Sequence, residues 1–153
     1  MFFLRQREIL INLSIMTFIW MSTSFCYYLI QFQLSKFPSG VYLSSAIFSI
    51  TGVAGFILAP VILNCLGIKM SFFSLFLLQA VSGTLIVFWG EAPTAAVWVF
   101  PFLVLFASFG TACCFCMIYA VHGEIFSTLF AATAIGICNF FARVATIFAP
   151  EVA

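Results

Sequence analysis

Arg143 stands alone in an apolar run, with no other charged residue between Glu124 and Glu151. A guanidinium at such depth costs about 2.5–3.5 kcal/mol on insertion scales, so an intramembrane charge marks a functional position by default. It lies seven residues before Pro150, about 10 Å below the outer end of its helix at 1.5 Å per residue. Facing a cavity, its fixed fork of N–H donors suits a carboxylate or sulfonate. The competing reading is structural, with the side chain snorkelling outward. Tyr27 and Tyr28 are the next candidates. Adjacent residues on a helix point about 100° apart, so only one of them can face a cavity squarely. That one offers a ring for stacking or for a cation, and a hydroxyl for hydrogen bonding. The alternative is that both belong to an interfacial aromatic belt. Gln31 lies one turn beyond Tyr27 and either joins its face or sits at the outer water boundary.

The composition says what must position these residues. The chain is 65% hydrophobic and 6% charged with 22 Phe, and its mean hydropathy is +1.28. No soluble domain hides that much apolar surface. Between the charged markers lie five runs, 9–33, 42–63, 71–90, 95–119 and 129–149, each of a length that crosses about 30 Å of hydrocarbon as a helix. Backbone groups cannot go unpaired in lipid, so an all-α, multi-pass membrane protein is expected, with the lipid bilayer as its surroundings. Arg5 and Arg7 precede an apolar run too long for a signal peptide, so it is read as a retained span. Arg5, Arg7 and Lys69 against Lys36 place the N-terminus in the cytosol. The connections 36–40, 64–70, 90–94 and 122–128 read as turns, and short turns make neighbouring spans antiparallel. Gly52 with Gly55, Ala107 with Thr111, and Ala132 with Gly136 are predicted close-packing faces.

Several chemistries are excluded at this level. A net charge of +1 without a basic strip argues against nucleic acid. Cys113, Cys114 and Cys116 share one helical turn, but cysteine is a small apolar filler and His122 is the chain's one histidine, so neither a metal nor a cofactor is expected. No G-x-S-x-G, H-E-x-x-H or histidine box is present, and no catalytic cluster points to an enzyme.

Three stretches carry a family resemblance. Gly123-Glu124-Ile125-Phe126-Ser127-Thr128, followed by Gly136, Ala142-Arg143-Val144 and Ala149-Pro150, resembles the tenth to eleventh span of the organic cation, anion and carnitine transporters of the major facilitator superfamily. Those typically read G-E-L-Y-P-T-x-x-R, then A-R before a distal Pro. Ser24-Phe25-Cys26-Tyr27-Tyr28 is similar to the S-F-x-Y-Y of their seventh span, and Asn64-Cys65-Leu66-Gly67-Ile68-Lys69 stands where they have a cytosolic D-R-x-G-R-K loop.

The resemblance implies that 1–153 is part of the C-terminal half of such a bundle, spans seven to eleven of about twelve, with substrate held near the midplane between two halves. On this basis the chain is expected to be a fragment that needs the missing N-terminal half, or another chain, to complete its cavity. The implied role is a secondary active or facilitative carrier of small organic ions working by alternating access. Arg at position 143 tilts the substrate toward anions. Arg143, Tyr27, Tyr28, Gln31 and Phe115 are the implied substrate contacts, and Glu124, Thr128, Gly67 and Lys69 the implied gating motif. An acid from the absent half is a further possible partner for Arg143. The departures are specific: the Arg seven residues after the motif's Glu is Ala131, its Pro is Ser127, and the Asp and first Arg of the other loop are Asn64 and Cys65. Both charge motifs are thinned, which keeps open the alternative of a truncated, non-transporting membrane protein or a decayed transporter copy.

Overall fold

The computed structural model describes residues 2–35, 41–89 and 96–152. The turns expected at 36–40 and 90–94 lie outside the described residues. The described chain is helical almost throughout: α1 (Phe2–Ser35), α2 (Val41–Trp89), α3 (Ala96–Ile125), α4 (Thr128–Ile147) and the single turn α5 (Ala149–Val152). Four of these helices are long and apolar enough to cross a membrane.

The second of the four is two spans. A straight helix of the 49 residues of α2 would extend about 74 Å, more than twice the hydrocarbon thickness. Gly67 interrupts it with φ 74° and ψ 166°, a conformation essentially reserved for glycine. Beyond it the chain folds back. The hydroxyl of Ser71 donates to Gly67 O at 2.7 Å and also comes within 3.3 Å of Ile62 O, whereas residues nine apart on a straight helix are separated by about 13 Å. We call the arms α2a (41–66) and α2b (68–89). Both rest on α3: Cys113 Sγ donates to Gly55 O of α2a at 3.3 Å, and Gln79 of α2b donates through Nε2 to Thr111 Oγ1 at 3.1 Å. The expected break at 64–70 is thus a one-residue turn.

α3 is the centre of the bundle. Over its apolar window 56% is buried, against 22% or less for the other three long helices. It packs against α2 and α1, and α1 in turn carries α4 and α5. The core joins Met16 and Trp20 of α1, Ala59, Phe72 and Leu75 of α2, Cys113, Cys114, Met117, Ile118 and Val121 of α3, and Cys138 and Ala142 of α4. Phe18, Ile50, Phe73, Phe88 and Phe140 face outward, as lipid permits. Lipid gives helices no hydrophobic reason to associate, so close backbone approach matters. A Cβ at Gly55 would lie 2.8 Å from Ala112 Cβ, so that glycine sets the distance between α2a and α3. A Cβ added at Gly52 or Gly136 would meet nothing within 4 Å, and Ala132 is exposed, so the 132/136 face does not pack as expected.

The cysteine cluster serves the backbone. Pro60 has no N–H and leaves the carbonyl of Phe56 without its helical donor. Cys116 Sγ points at that oxygen at 3.9 Å, a weak contact, one turn from the Cys113 bond to Gly55 O. At the other end of α3 the stretch 122–128, expected to be a polar turn, is mostly helix. Only Phe126 and Ser127 interrupt the chain there. His122 is fully buried rather than solvated. Its Nε2 lies 3.2 Å from Ala131 O, and since a carbonyl only accepts, Nε2 carries the proton. This bond ties the last turn of α3 to the first turn of α4. α4 stops at Ile147, before Pro150 removes the next intrahelical donor.

Gly67→Ala is expected to lower the unfolding free energy by about 1–3 kcal/mol, because alanine must hold a glycine-only conformation. Gly83→Ala, in open space on the same helix, should leave it unchanged or raise it by up to about 1 kcal/mol. Equilibrium unfolding in mixed detergent micelles reads both, and equal stabilities for the two variants would contradict the hairpin assignment.

Candidate functional site

About seven turns of α1 bring Tyr27 and Tyr28 level with the C-terminal half of α4. The Nη1–H of Arg143 donates to Tyr28 Oη at 2.6 Å, joining helices 115 residues apart in sequence. The guanidinium therefore turns toward α1. Among the described residues no carboxylate pairs with it, and the neutral phenol is its one bonded partner. Arg143 is exposed, so the remaining N–H groups of the guanidinium stay available. Tyr28 Oη accepts from a cation, which leaves its own O–H free and polarised as a donor. Arginine and phenol together present convergent donors to any acceptor placed beside them.

Two pockets adjoin this pair. One, of about 280 Å³, is lined by Arg143, Asn139, Ala142 and Thr146 of α4, by Trp20, Ser24, Tyr27 and Tyr28 of α1, and by Phe56, Phe115 and Tyr119. The other, of about 410 Å³, lies between Tyr27, Gln31, Phe48, Ser49, Gly52, Val53, Ser108 and Ala112. Tyr27, Phe56 and Phe115 belong to both and form the wall between them. Tyr27 meets Tyr28 and Phe48 edge to face at 5.4 Å each, and Phe115 at 5.9 Å, the T-shaped geometry that aromatic quadrupoles favour. Gln31 Nε2 donates to Tyr27 Oη over a long 3.4 Å.

All five residues singled out as contacts, Arg143, Tyr27, Tyr28, Gln31 and Phe115, therefore stand around one pair of adjoining pockets. The expectation that only one tyrosine could face the cavity is modified: both line the smaller pocket, Tyr28 held by Arg143 and Tyr27 edge to face with Phe48 and Phe115. Asn139 and Thr146 were missed, although spacings of four and three residues from Arg143 put them on its helix face. Phe48 and Phe56 gave no signal among 22 phenylalanines.

The gating motif is less connected. Gly67 forms the turn in α2, and Lys69 just after it is exposed, as is Glu124 in the last turn of α3. Neither charge has an ion-pair partner among the described residues. The side chain of Thr128 lies outside the described residues. Position 131, where the resembled pattern has an arginine, is engaged through its backbone oxygen by His122.

The Arg143–Tyr28 bond makes a measurable prediction. In a double-mutant cycle of Tyr28→Phe and Arg143→Leu followed by unfolding in micelles, the coupling energy should be about 1 kcal/mol, as for a hydrogen bond that water partly replaces. Additive effects within about 0.3 kcal/mol would show that the pair does not form.

No family model matches the chain. Over 150 residues it is 25% identical to a Caenorhabditis elegans protein named "putative transporter", a match that covers 95% of this chain and 29% of that protein. The chain thus spans less than a third of the length of that relative. It is an all-α, multi-pass membrane protein, similar over nearly all its length to part of a protein named as a transporter.

Proposed function

We propose that the chain forms part of the substrate pathway of a secondary transporter for small organic ions, anions foremost, in the manner of the organic ion carriers of the major facilitator superfamily. One observation carries the reading: an intramembrane arginine, bonded to a neutral phenol and unpaired by any described carboxylate, stands over an aromatic-lined pocket. A bound anion supplies the missing countercharge. The relative named as a transporter supports a transport role in general. In this proposal the N-terminus is cytosolic, and a further half-bundle or another chain closes the opposite side of the pathway during alternating access. Arg143 and Tyr28 hold the charged group, Tyr27 and Phe115 stack on the body of the substrate, and Gln31 contributes a polar rim. Glu124, Thr128, Gly67 and Lys69 lie toward the cytosolic gate.

The competing reading is a membrane protein that does not transport, supported by the loss of a basic partner for Glu124 at Ala131. Uptake of radiolabelled organic anions into vesicles holding the protein at its natural length separates the two. Loss of a charge-assisted contact weighs about 1.5–3 kcal/mol, so Arg143→Leu should lower uptake efficiency about ten- to a hundredfold, with Arg143→Lys intermediate. Saturable uptake that is unchanged in Arg143→Leu would remove the arginine from the pathway. A complete absence of uptake by the unaltered protein across organic anions and cations would favour the non-transporting reading.

A further inference from the structure

The larger of the two pockets beside Arg143 has a notch in its wall. Phe48, Ser49, Gly52, Val53 and Phe56 of α2a line it, and their spacing puts them on one face of the helix with Gly52 in the middle. Its four neighbours present side chains to the pocket, and Gly52 presents none. A Cβ there would meet nothing within 4 Å, whereas one at Gly55 would lie 2.8 Å from Ala112 Cβ. The packing of α2a on α3 therefore requires Gly55 but not Gly52. A glycine inside a helix weakens it relative to alanine, so the missing side chain at position 52 needs a reason outside the packing of the described helices.

The two pockets differ in what they can hold. The smaller, of about 280 Å³, contains the Arg143–Tyr28 pair and falls just short of the usual size of a small-molecule site, whereas the larger, of about 410 Å³, falls within it. No charged residue lines the larger pocket. Its two serines have committed their protons, Ser49 to Ser45 O at 2.9 Å and Ser108 to Val104 O at 2.7 Å, so towards a ligand each hydroxyl can only accept. Neither an anion nor a cation would find a countercharge there, and an unpaired charge is costly away from water. Tyr27, Phe56 and Phe115 line both pockets. A ligand anchored at Arg143 and longer than the smaller pocket must cross between these three rings, a passage that suits a flat aromatic body.

We infer that Gly52 sets the size of the substrate: the ligand is a monoanion whose oxyanion bonds Arg143 and Tyr28, and whose uncharged aromatic body crosses the Tyr27 wall into the space that Gly52 leaves open. This inference rests on the anion pathway proposed above and adds to it a specificity-determining residue. A second charge at the far end of the body, of either sign, is selected against by the uncharged lining of the larger pocket.

The test measures equilibrium binding of radiolabelled benzenesulfonate and biphenyl-4-sulfonate to the protein at its natural length in phosphatidylcholine vesicles. Biphenyl-4-sulfonate should bind at least about tenfold more tightly, because its second ring reaches the larger pocket. Biphenyls that carry a second sulfonate or a trimethylammonium group at the 4′ position should compete about tenfold less well than the monoanion. Gly52→Leu should weaken biphenyl-4-sulfonate about tenfold by filling the notch. Benzenesulfonate should stay within about twofold in the same variant, which also reports an intact fold. Gly52→Ala should give a smaller loss of the same selectivity, and Arg143→Leu should weaken both ligands alike. If neither Gly52 variant discriminates between the two ligands, or if a doubly charged biphenyl binds more tightly than the monoanion, the role of Gly52 is overturned, while binding that depends on Arg143 leaves the anion pathway standing. Failure of the unaltered protein to bind any of these sulfonates would overturn both.

Discussion

Within hydrocarbon no backbone amide or carbonyl can be left to water, and among the described residues several departures from the helical ladder are answered by a partner nearby. Pro60 removes a donor, and the thiol of Cys116 faces the carbonyl it frees. The interruption at Phe126 and Ser127 is closed by the Phe126 N–H bonding to His122 O at 3.1 Å, and by the His122 ring reaching Ala131 O. Gly67 turns α2 back in one residue, and Ser71 donates to the carbonyl of the turn itself. These contacts accompany the points at which the described helices are interrupted or turn back.

The same solvent dictates how the helices hold one another. With apolar surface equally content in lipid or protein, association relies on close packing and on interhelical hydrogen bonds. Gly55 against Ala112 provides the first. Gln79 with Thr111, Thr17 with Cys138 at 3.4 Å, and Arg143 with Tyr28 provide the second. Each of the last two links α1 to α4, and these contacts together set the height at which the tyrosines meet the arginine. The site is thus a product of the bundle's own adhesion: the bond that anchors α4 on α1 also orients the guanidinium.

Two polar side chains, Arg143 and Gln79, play opposite parts. Arg143 is a donor whose charge the described residues do not neutralise, whereas Gln79 is an acceptor whose lone pairs they do not fill. The first lies at an exposed wall shared with aromatic pockets, the second between α2b and α3. Both are expensive in a low dielectric, and both are tied by one hydrogen bond to a hydroxyl on another helix.

Fold class was legible in composition alone, because so high an apolar content with evenly spaced charges has no soluble solution and helices are the local answer in lipid. The reversal near Gly67 was legible as a polar break between apolar runs, and Arg143 was conspicuous for the same reason: charge in an apolar run is a one-dimensional signal. His122 was misplaced in a turn because polarity suggests exposure, and only the packing of Trp20 and Phe126 around it, with ring centroids at 6.1 and 4.6 Å, reveals a buried ring. Phe48 and Phe56 in the pocket wall, the thiol facing the carbonyl freed by Pro60, and the stranded oxygen of Gln79 had no sequence signature, since each depends on which helix lies opposite. The sequence by itself determined that the chain crosses the membrane as helices and where its rare charges fall, because partition into lipid acts on each segment separately. Tertiary structure decided which side chains share a cavity and which polar atoms remain unpaired, because those follow from rotations and distances between helices that no segment encodes alone.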